Sequence, residues 1–237
     1  MVKSYACAGI LLFAIGLFPL MAQDNTVAKE MAIKIADRII ASTVYEFKDV
    51  KTGKVYTSLD NVALNPDIRV NSKYLNWHYT NGVTNMALME LGDKIQNRKY
   101  EDYVLKNMKF IFDKTNQSYF HRLYDKTFRE GGWRAVPRLT WHMIYRNKRL
   151  DDNGPMGASL ITLNQRHPDE AFQQYVETTN HHLMVSEPRL ADGTIARLCL
   201  MKILFGQMMR LWRYLLFLEW ERLPVKRSIL MMRPIRY

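Results

Sequence analysis

Cysteine is almost absent from this chain. Its 237 residues include two cysteines, Cys7 and Cys199, so the long body between them contains no thiol. A disulfide framework, a thiol nucleophile and a cysteine-based metal site are therefore excluded from that body. The six histidines form no ligand pattern, and neither an HExxH motif nor a nucleophile elbow occurs. We expect no metal and no cofactor.

Long apolar runs are also absent beyond the N-terminus. One uncharged run spans residues 6–20, follows Lys3 and precedes Ala22, which is the pattern of a secretory signal. We expect residues 1–22 to be a signal peptide, and the mature protein to be periplasmic or secreted in a bacterium. Stable membrane association is not expected after cleavage. The alternative is an uncleaved membrane anchor, although the run is short for a span.

Acidic residues are too few to balance the basic ones. The chain has 34 Lys and Arg against 23 Asp and Glu, a formal net charge of +11. Such a charge is typical of proteins that bind nucleic acid or acidic polysaccharide. Residues 198–237 hold eight basic and two acidic side chains, so more than half of the excess lies in this tail. This distribution weakens the case for nucleic acid, and we expect no nucleic-acid partner.

Alternating patterns typical of β-strands are absent, whereas apolar residues recur at helical spacing. The sequence predicts a long loop over 43–74 and an irregular aromatic segment over 116–139. It predicts a helix ending at Gly92 as a C-cap. The predicted helices span residues 25–42, 76–91, 99–113, 140–146, 155–165 and 168–184. Together these features predict an all-α architecture.

Two adjacent carboxylates, Asp151 and Asp152, are the first candidates for chemistry. They precede Asn153 and Gly154, which favour a tight turn, and Pro155, which suits the first position of a helix. An acid pair held at such a turn could serve as catalytic residues in a cleft. The alternative is plain helix capping, because Asp is a preferred N-cap residue.

Four ordered segments resemble one enzyme family. They are Asn76-Trp77-His78-Tyr79-Thr80-Asn81-Gly82-Val83, the segment from Glu90 to Tyr100, the segment Arg149 to Ala158, and Arg189 to Arg197. The order and content resemble the unsaturated rhamnogalacturonyl hydrolases, glycoside hydrolase family 105, which are related to the family 88 unsaturated glucuronyl hydrolases. The resemblance covers residues 26–198. It implies an (α/α)6 barrel of which these residues form roughly the N-terminal half.

The resemblance also implies a substrate and a reaction. The substrates would be pectin oligosaccharides from rhamnogalacturonan, with a 4,5-unsaturated uronic acid at the non-reducing end. A carboxylic acid protonates C4 of the enol ether, water adds at C5, and the hemiketal collapses with release of the next sugar. This differs from the usual displacement by two carboxylates.

The family pattern assigns candidate roles to six residues. Asp152 falls where the family has its first active-site Asp, and Asp151 is the fallback. The aromatic segment makes Trp77, His78 and Tyr79 candidates for substrate binding, and Trp133 of the aromatic loop is a fourth candidate. Core packing is the alternative for Trp77, and a loop or surface position is the alternative for His78. The only partner expected is the oligosaccharide substrate.

The family's second active-site Asp, in a Trp-Ala-Asp-Asp segment, is missing from this chain. Codon degeneracy permits that segment in a shifted frame over residues 205–209, where Met208-Met209 forces Asp. Trp220-Glu221 forces Gly and Met231-Met232 again forces Asp, both as the family pattern requires. We therefore expect residues 199–237 to be an aberrant out-of-frame tail, from a pseudogene or a sequencing error.

This expectation has consequences for the whole chain. Half a barrel leaves helix faces without neighbours, so we expect an inactive, aggregation-prone product that is a monomer where it folds. One alternative is a non-catalytic carbohydrate-binding remnant. Another is a genuine basic amphipathic tail, with a helix over 211–220, that binds membrane or nucleic acid.

Overall fold

The computed structural model describes residues 26–147 and 150–195. The expected signal peptide, residues 1–22, and the expected aberrant tail, residues 199–237, lie outside the described residues. The chain divides into two compact units, Met1–Ser42 and Thr43–Tyr237. In the part that the structure describes, no helix combines the length and the apolar character that crossing a membrane requires.

The first unit contributes one described helix, α1, over residues 26–41. This confirms the helix predicted over 25–42. Its end is closed by the Ser42 hydroxyl, which donates to the Arg38 carbonyl at 2.8 Å.

The second unit is mainly helical, which confirms the predicted all-α class. Its α-helices are α2 (Tyr79–Ile95), α3 (Lys99–Ile111), α4 (Lys114–Gly131), α5 (His142–Arg146), α6 (Leu150–Arg166) and α7 (Glu170–His181). Short 3₁₀ turns occur at Lys73–Leu75, Gly132–Arg134 and Val136–Arg138, and a π-helical turn follows α7 at His182–Ser186. Among these elements, α2 and α6 form the most extensive helix–helix contact.

The segment predicted as a long loop contains a small antiparallel sheet. Its strands are β1 (Phe47–Asp49), β2 (Val55–Tyr56) and β3 (Ile68–Val70), in the order β2-β1-β3. The strands have only two or three residues, which is too short for an alternating pattern to show in the sequence. The prediction of an unstructured connection was therefore wrong for these residues.

The segment predicted to be irregular is mostly helix α4. Asp113 caps it, because its carboxylate accepts from the backbone N–H groups of Thr115 and Asn116, each at 3.0 Å. Three of the five aromatic residues of the segment, Tyr119, Phe120 and Tyr124, lie with Leu123 on one buried face at helical spacing. The Gly131-Gly132 pair ends the helix. The sequence-based interpretation failed because aromatic side chains replaced the aliphatic ones that usually reveal a core face.

Helix bounds around the two motif regions also differ from the prediction. Gly92 lies inside α2, and the left-handed residue that ends this helix is Gln96, with φ of 53°. A Cβ at Gly92 would lie 3.0 Å from the Asn97 carbonyl oxygen, so this glycine serves close packing. Likewise Asp151 and Asp152 lie in the first turn of α6, and Pro155 lies within the helix instead of at its first position. The predicted tight turn before the helix was wrong.

Two aromatic clusters form the core around these elements. In one, the Phe47 ring of β1 stacks on the Phe110 ring and meets the Trp141 ring edge-on, with ring centres 5.1 Å and 5.9 Å apart. In the other, Trp77 contacts Tyr175 at 4.9 Å and Phe112 at 5.7 Å, both edge-on. The second cluster joins the start of α2 to α3 and α7, and thereby fixes the segment that carries the family motif.

Candidate active site

The N-terminal end of α2 meets the N-terminal half of α6 at a point where the two backbones almost touch. The approach requires Gly82, because a Cβ at that position would overlap backbone atoms of Pro155 and Met156. The crossing therefore brings the residues before Gly82 to the residues before Pro155. These are the aromatic segment and the acid pair that the sequence singled out.

Asp152 is the acid that this crossing holds in place. Its residue is 5% exposed, and its Oδ1 atom accepts from the backbone N–H of Tyr79 at 3.1 Å. The same Oδ1 lies 3.8 Å from Nε2 of His78. The structure thus brings together three predicted site residues, Asp152, His78 and Tyr79. This bond satisfies the backbone N–H of the first residue of α2, while Asp152 itself lies in the first turn of α6.

His78 is oriented by the helix that it begins. It is the N-cap of α2, where its Nδ1 accepts from the Thr80 backbone N–H at 3.4 Å and lies 2.9 Å from the Thr80 hydroxyl. With Nδ1 used as an acceptor, a neutral imidazole carries its proton on Nε2. The N–H of the ring then faces the Asp152 carboxylate. His78 is exposed, so a ligand can reach this pair.

Asn153 is the functional residue that sequence reasoning missed. Its side chain is buried, and its Oδ1 accepts from Trp77 Nε1 at 2.9 Å and from the Tyr175 hydroxyl at 3.2 Å. Its Nδ2 donates to Asn147 Oδ1 at 3.1 Å. Burial raises the pKa of the Tyr175 phenol far above its ordinary value, so the hydroxyl remains a neutral donor. This network fixes the turn of α6 that carries Asp152. The sequence does not indicate the network, because Asn153 before a glycine resembles a turn former.

An open cavity of about 440 Å³ adjoins His78. Its wall includes three basic residues, Arg69, Lys73 and Arg138, and we call it the basic cavity. It is also lined by Asn76, Trp77, His78, Thr80, Asn81, Pro137, Leu139, Thr140, Trp141, His142 and Met143. Among the described residues, this lining contains no Asp or Glu, so its formally charged side chains are cations.

A metal site is not formed by the residues that the structure describes. Within 26–147 and 150–195, no three His, Cys, Asp or Glu side chains come together in a way that could hold an ion.

The comparison with protein families identifies the domain that carries this geometry. Residues 48–213 match the family model described as Glycosyl Hydrolase Family 88, which is well over half of the chain. The chain belongs to glycosyl hydrolase family 88. Family 88 membership makes it a glycosidase by descent, with unsaturated sugars as the family's substrates. Together with the helical architecture, the match confirms the expected fold, an all-α partial (α/α)6 barrel. No curated protein matches the chain.

Within this family 88 domain, the other predicted site residues have distinct positions. Asp151 is more exposed than Asp152, and neighbouring residues of a helix point about 100° apart, so the two acids do not share one direction. Trp77 is 4% exposed and packed inside the aromatic core, which leaves no ring face for a sugar. Its stacking role is corrected to positioning of Asn153.

The two remaining aromatic candidates keep accessible rings. Tyr79 is 42% exposed and its ring centre lies 4.6 Å from that of His78. Trp133 is 44% exposed at the end of α4, where its described ring contacts are Phe128 and the guanidinium of Arg146. Tyr79 therefore belongs to the surroundings of Asp152, whereas the described contacts of Trp133 lie elsewhere.

Proposed function

We propose that this family 88 domain descends from a hydrolase of unsaturated galacturonyl-rhamnose oligosaccharides released from rhamnogalacturonan. The observation that supports it most is the buried Asp152 carboxylate, held 3.1 Å from the Tyr79 amide and beside the accessible His78. The proposal is also supported by the accessible Tyr79 ring, whose centre lies 4.6 Å from that of His78. The ordered family 105 motifs support the rhamnogalacturonan specificity.

In the proposed reaction a proton adds to C4 of the enol ether and water adds to C5. The resulting hemiketal collapses, which breaks the glycosidic bond and releases the next sugar. Asp152 would act as one carboxyl group of the catalytic pair, and Tyr79 would stack on the unsaturated ring. The principal proton donor in this scheme is the second acid of the family.

That second acid defines the proposed state of this chain. We infer that residues 199–237 are an out-of-frame translation, although the family match continues in the given frame to residue 213, and that the Trp-Ala-Asp-Asp segment is encoded in the shifted frame. Re-reading the gene tests this directly. A stop codon in the shifted frame, or the absence of that segment from it, would overturn the inference.

One assay tests substrate, mechanism and frame together. The ultraviolet absorbance of the enol ether is followed with unsaturated galacturonyl-rhamnose, for the chain as given and for a chain with the frame restored near codon 199. We expect turnover from the restored chain only, and a loss of about 100-fold or more in kcat for its Asp152→Asn variant. The matched control is Asp151→Asn, which should retain most activity.

Two outcomes of this assay would contradict the proposed function. Equal rates on an unsaturated uronyl disaccharide whose second sugar is not rhamnose would reject the rhamnose specificity. No turnover on either sugar by the frame-restored chain would reject the enzymatic proposal.

A carbohydrate-binding remnant is the second candidate, because Tyr79 keeps an exposed ring without the second acid. Calorimetric titration of the chain as given with the unsaturated disaccharide tests it, with Tyr79→Ala as the variant. Binding to membrane or nucleic acid through the tail is the third. It requires a steep loss of polyanion binding with rising salt.

A further inference from the structure

The basic cavity keeps like charges close together. Arg69 is half-buried, and this burial lowers the pKa of its guanidinium. The negative charge of Asp67 raises that pKa, and the positive charge of Arg138 lowers it. An arginine with a lowered pKa is still a cation at neutral pH. The two guanidinium groups therefore repel each other within one wall of the cavity, and an anion between them would relieve that repulsion.

Among the described residues, the cavity lining supplies no such anion, and Arg69, Lys73 and Arg138 form no ion pair within 4 Å. Asp67 acts on the charge of Arg69 from outside the lining. The nearby Asp67 is already paired with Lys51 at 2.7 Å. Arg69 is anchored through NH1, which donates to the carbonyls of Pro66 and Ile68. Its guanidinium is thus fixed in place while its charge is not neutralised.

A strained backbone position shapes the wall of the same cavity. Trp141 has φ of 56°, which is an outlier for a bulky residue. It is held there by a hydrogen bond from its indole N–H to the Leu75 carbonyl at 2.7 Å and by its burial in the aromatic core. The conformation places Thr140 and His142, on either side of Trp141, in the lining.

The cavity adjoins the candidate active site at His78. This residue lines the cavity and also lies 3.8 Å from Asp152, which is not among the lining residues, so a ligand bound at His78 would lie next to both. Asn76 and Thr80, both exposed in the lining, offer amide and hydroxyl groups of the kind that pair with sugar hydroxyls. Cations with neutral polar neighbours suit an acidic sugar better than a bare inorganic anion.

We propose that the basic cavity, through Arg69, Lys73 and Arg138, binds the carboxylate of a second uronic acid, on a sugar beyond the terminal unsaturated residue. This rests on the proposed function for the identity of the chain, and it makes the substrate class an oligosaccharide with at least two acidic sugars. The unsaturated residue would lie at Asp152 and Tyr79, and the second acid in the cavity.

Calorimetric titration of the full chain tests this with two probes. The unsaturated disaccharide carries one carboxylate, and the unsaturated tetrasaccharide with alternating rhamnose carries two. We expect the tetrasaccharide to bind about tenfold more tightly. The Lys73→Met and Arg138→Gln variants should each reduce that preference by about fivefold, while disaccharide binding stays unchanged. Arg129→Gln, an exposed arginine outside the cavity, is the matched control.

A third probe separates this proposal from the enzymatic one. Saturated digalacturonate has no double bond, so its binding does not depend on hydrolysis. It should bind the chain as given, weaken about fivefold with Arg138→Gln, and be unaffected by Arg129→Gln. It should weaken further at about 1 M salt, where the Debye length falls to about 3 Å.

Two results would overturn the proposal for the basic cavity. The proposal fails if Lys73→Met and Arg138→Gln leave tetrasaccharide and digalacturonate binding unchanged while melting temperatures show that both variants are folded. It also fails if inorganic phosphate or a short oligonucleotide binds as tightly as digalacturonate. Absence of turnover with the expected binding pattern would reject the enzymatic proposal alone.

Discussion

At the scale of single residues, Arg166 and His167 organise a charged cluster at the end of α6. Arg166 forms a fork with Asp93 of α2, at 2.7 and 3.0 Å, and also contacts Glu101 of α3. His167 Nε2 lies 2.7 Å from Glu101 as well. One carboxylate, Glu101, therefore links two basic side chains and ties α3 to α6.

The titration of Glu101 gives a prediction. Burial alone raises the pKa of Glu101, but hydrogen bonds from His167 and Arg166 outweigh it, and the net pKa is lowered. A lowered pKa in the folded state adds stability above the unfolded pKa, near 4.3, and this stability is lost as the pH falls further. We expect Glu101→Gln to destabilise the chain at pH about 6, and the deficit to shrink towards pH about 3.

Urea denaturation at a series of pH values, at low protein concentration, measures this difference. The control is Glu90→Gln on α2, whose partner Lys94 lies one helical turn away in a fully exposed pair. A Glu101→Gln deficit that stays constant from pH about 6 to about 3 would contradict the assigned cause.

Residue-level roles were predictable where a motif carried them. The proximity of His78, Tyr79 and Asp152 followed from matching segments that are far apart in sequence. The roles of Asn153 and Arg69 did not, because each depends on burial and on neighbours that approach only in the folded chain. A lone Asn before Gly indicates a turn, and only the contact with Trp77 and Tyr175 shows that it is a buried acceptor.

At the scale of elements, the contact between α2 and α6 sets the position of the acid. Gly82 permits it, since a Cβ there would lie within 2.7 Å of the Pro155 carbonyl oxygen. We expect Gly82→Ala to lower the free energy of unfolding by at least about 2 kcal/mol, because the backbones must separate. The Tyr79 to Asp152 hydrogen bond should lengthen with them.

Chemical denaturation measures the change in the free energy of unfolding, and near-ultraviolet circular dichroism reports any change in the packing of aromatic side chains at the crossing. Val83→Ala is the control, since Val83 lies next to Gly82 on α2 and is 43% exposed. Equal stability of Gly82→Ala and Val83→Ala would show that the helices do not cross as closely as described.

Elements were predictable where acids in the first turn marked the start of residues at helical spacing. Helix α3 begins at Lys99 as predicted, with Glu101 and Asp102 in its first turn, and the segment that became α7 opens with acids at its N-terminus, where Asp169 caps it. Helix α4 was missed because its first turn has no acid and its core face is mostly aromatic, and the strands were missed because they are too short for a period. The predicted start of α6 was wrong, because tertiary packing overrode the local preference of Asn153-Gly154 and Pro155 for a turn.

At the scale of the whole molecule, the fold class was predictable and the arrangement was not. Apolar spacing gave the all-α class, and only ordered motifs pointed to the barrel. The route that brings residue 79 to residue 152 depends on packing across α3, α4 and α7, which no local pattern specifies.

Self-association is the prediction that belongs to this scale. If the in-frame domain is half of a barrel, some helix faces have no neighbour to bury them, and we expect reversible self-association that increases with protein concentration. Sedimentation velocity over a concentration series measures this. The frame-restored chain is the control and should stay monomeric, whereas a monomer at every concentration for the chain as given would contradict the prediction.

The helical setting of Asn153-Gly154 has a further consequence for the ageing of the protein. Asn-Gly is the dipeptide most prone to deamidation in flexible chains, because the glycine N–H can attack the side-chain amide. In α6 that geometry is unavailable, and the amide is fixed between Trp77, Tyr175 and Asn147. The rate at which Asn153 converts to Asp during storage, measured by peptide mass spectrometry, therefore reports how often α6 opens.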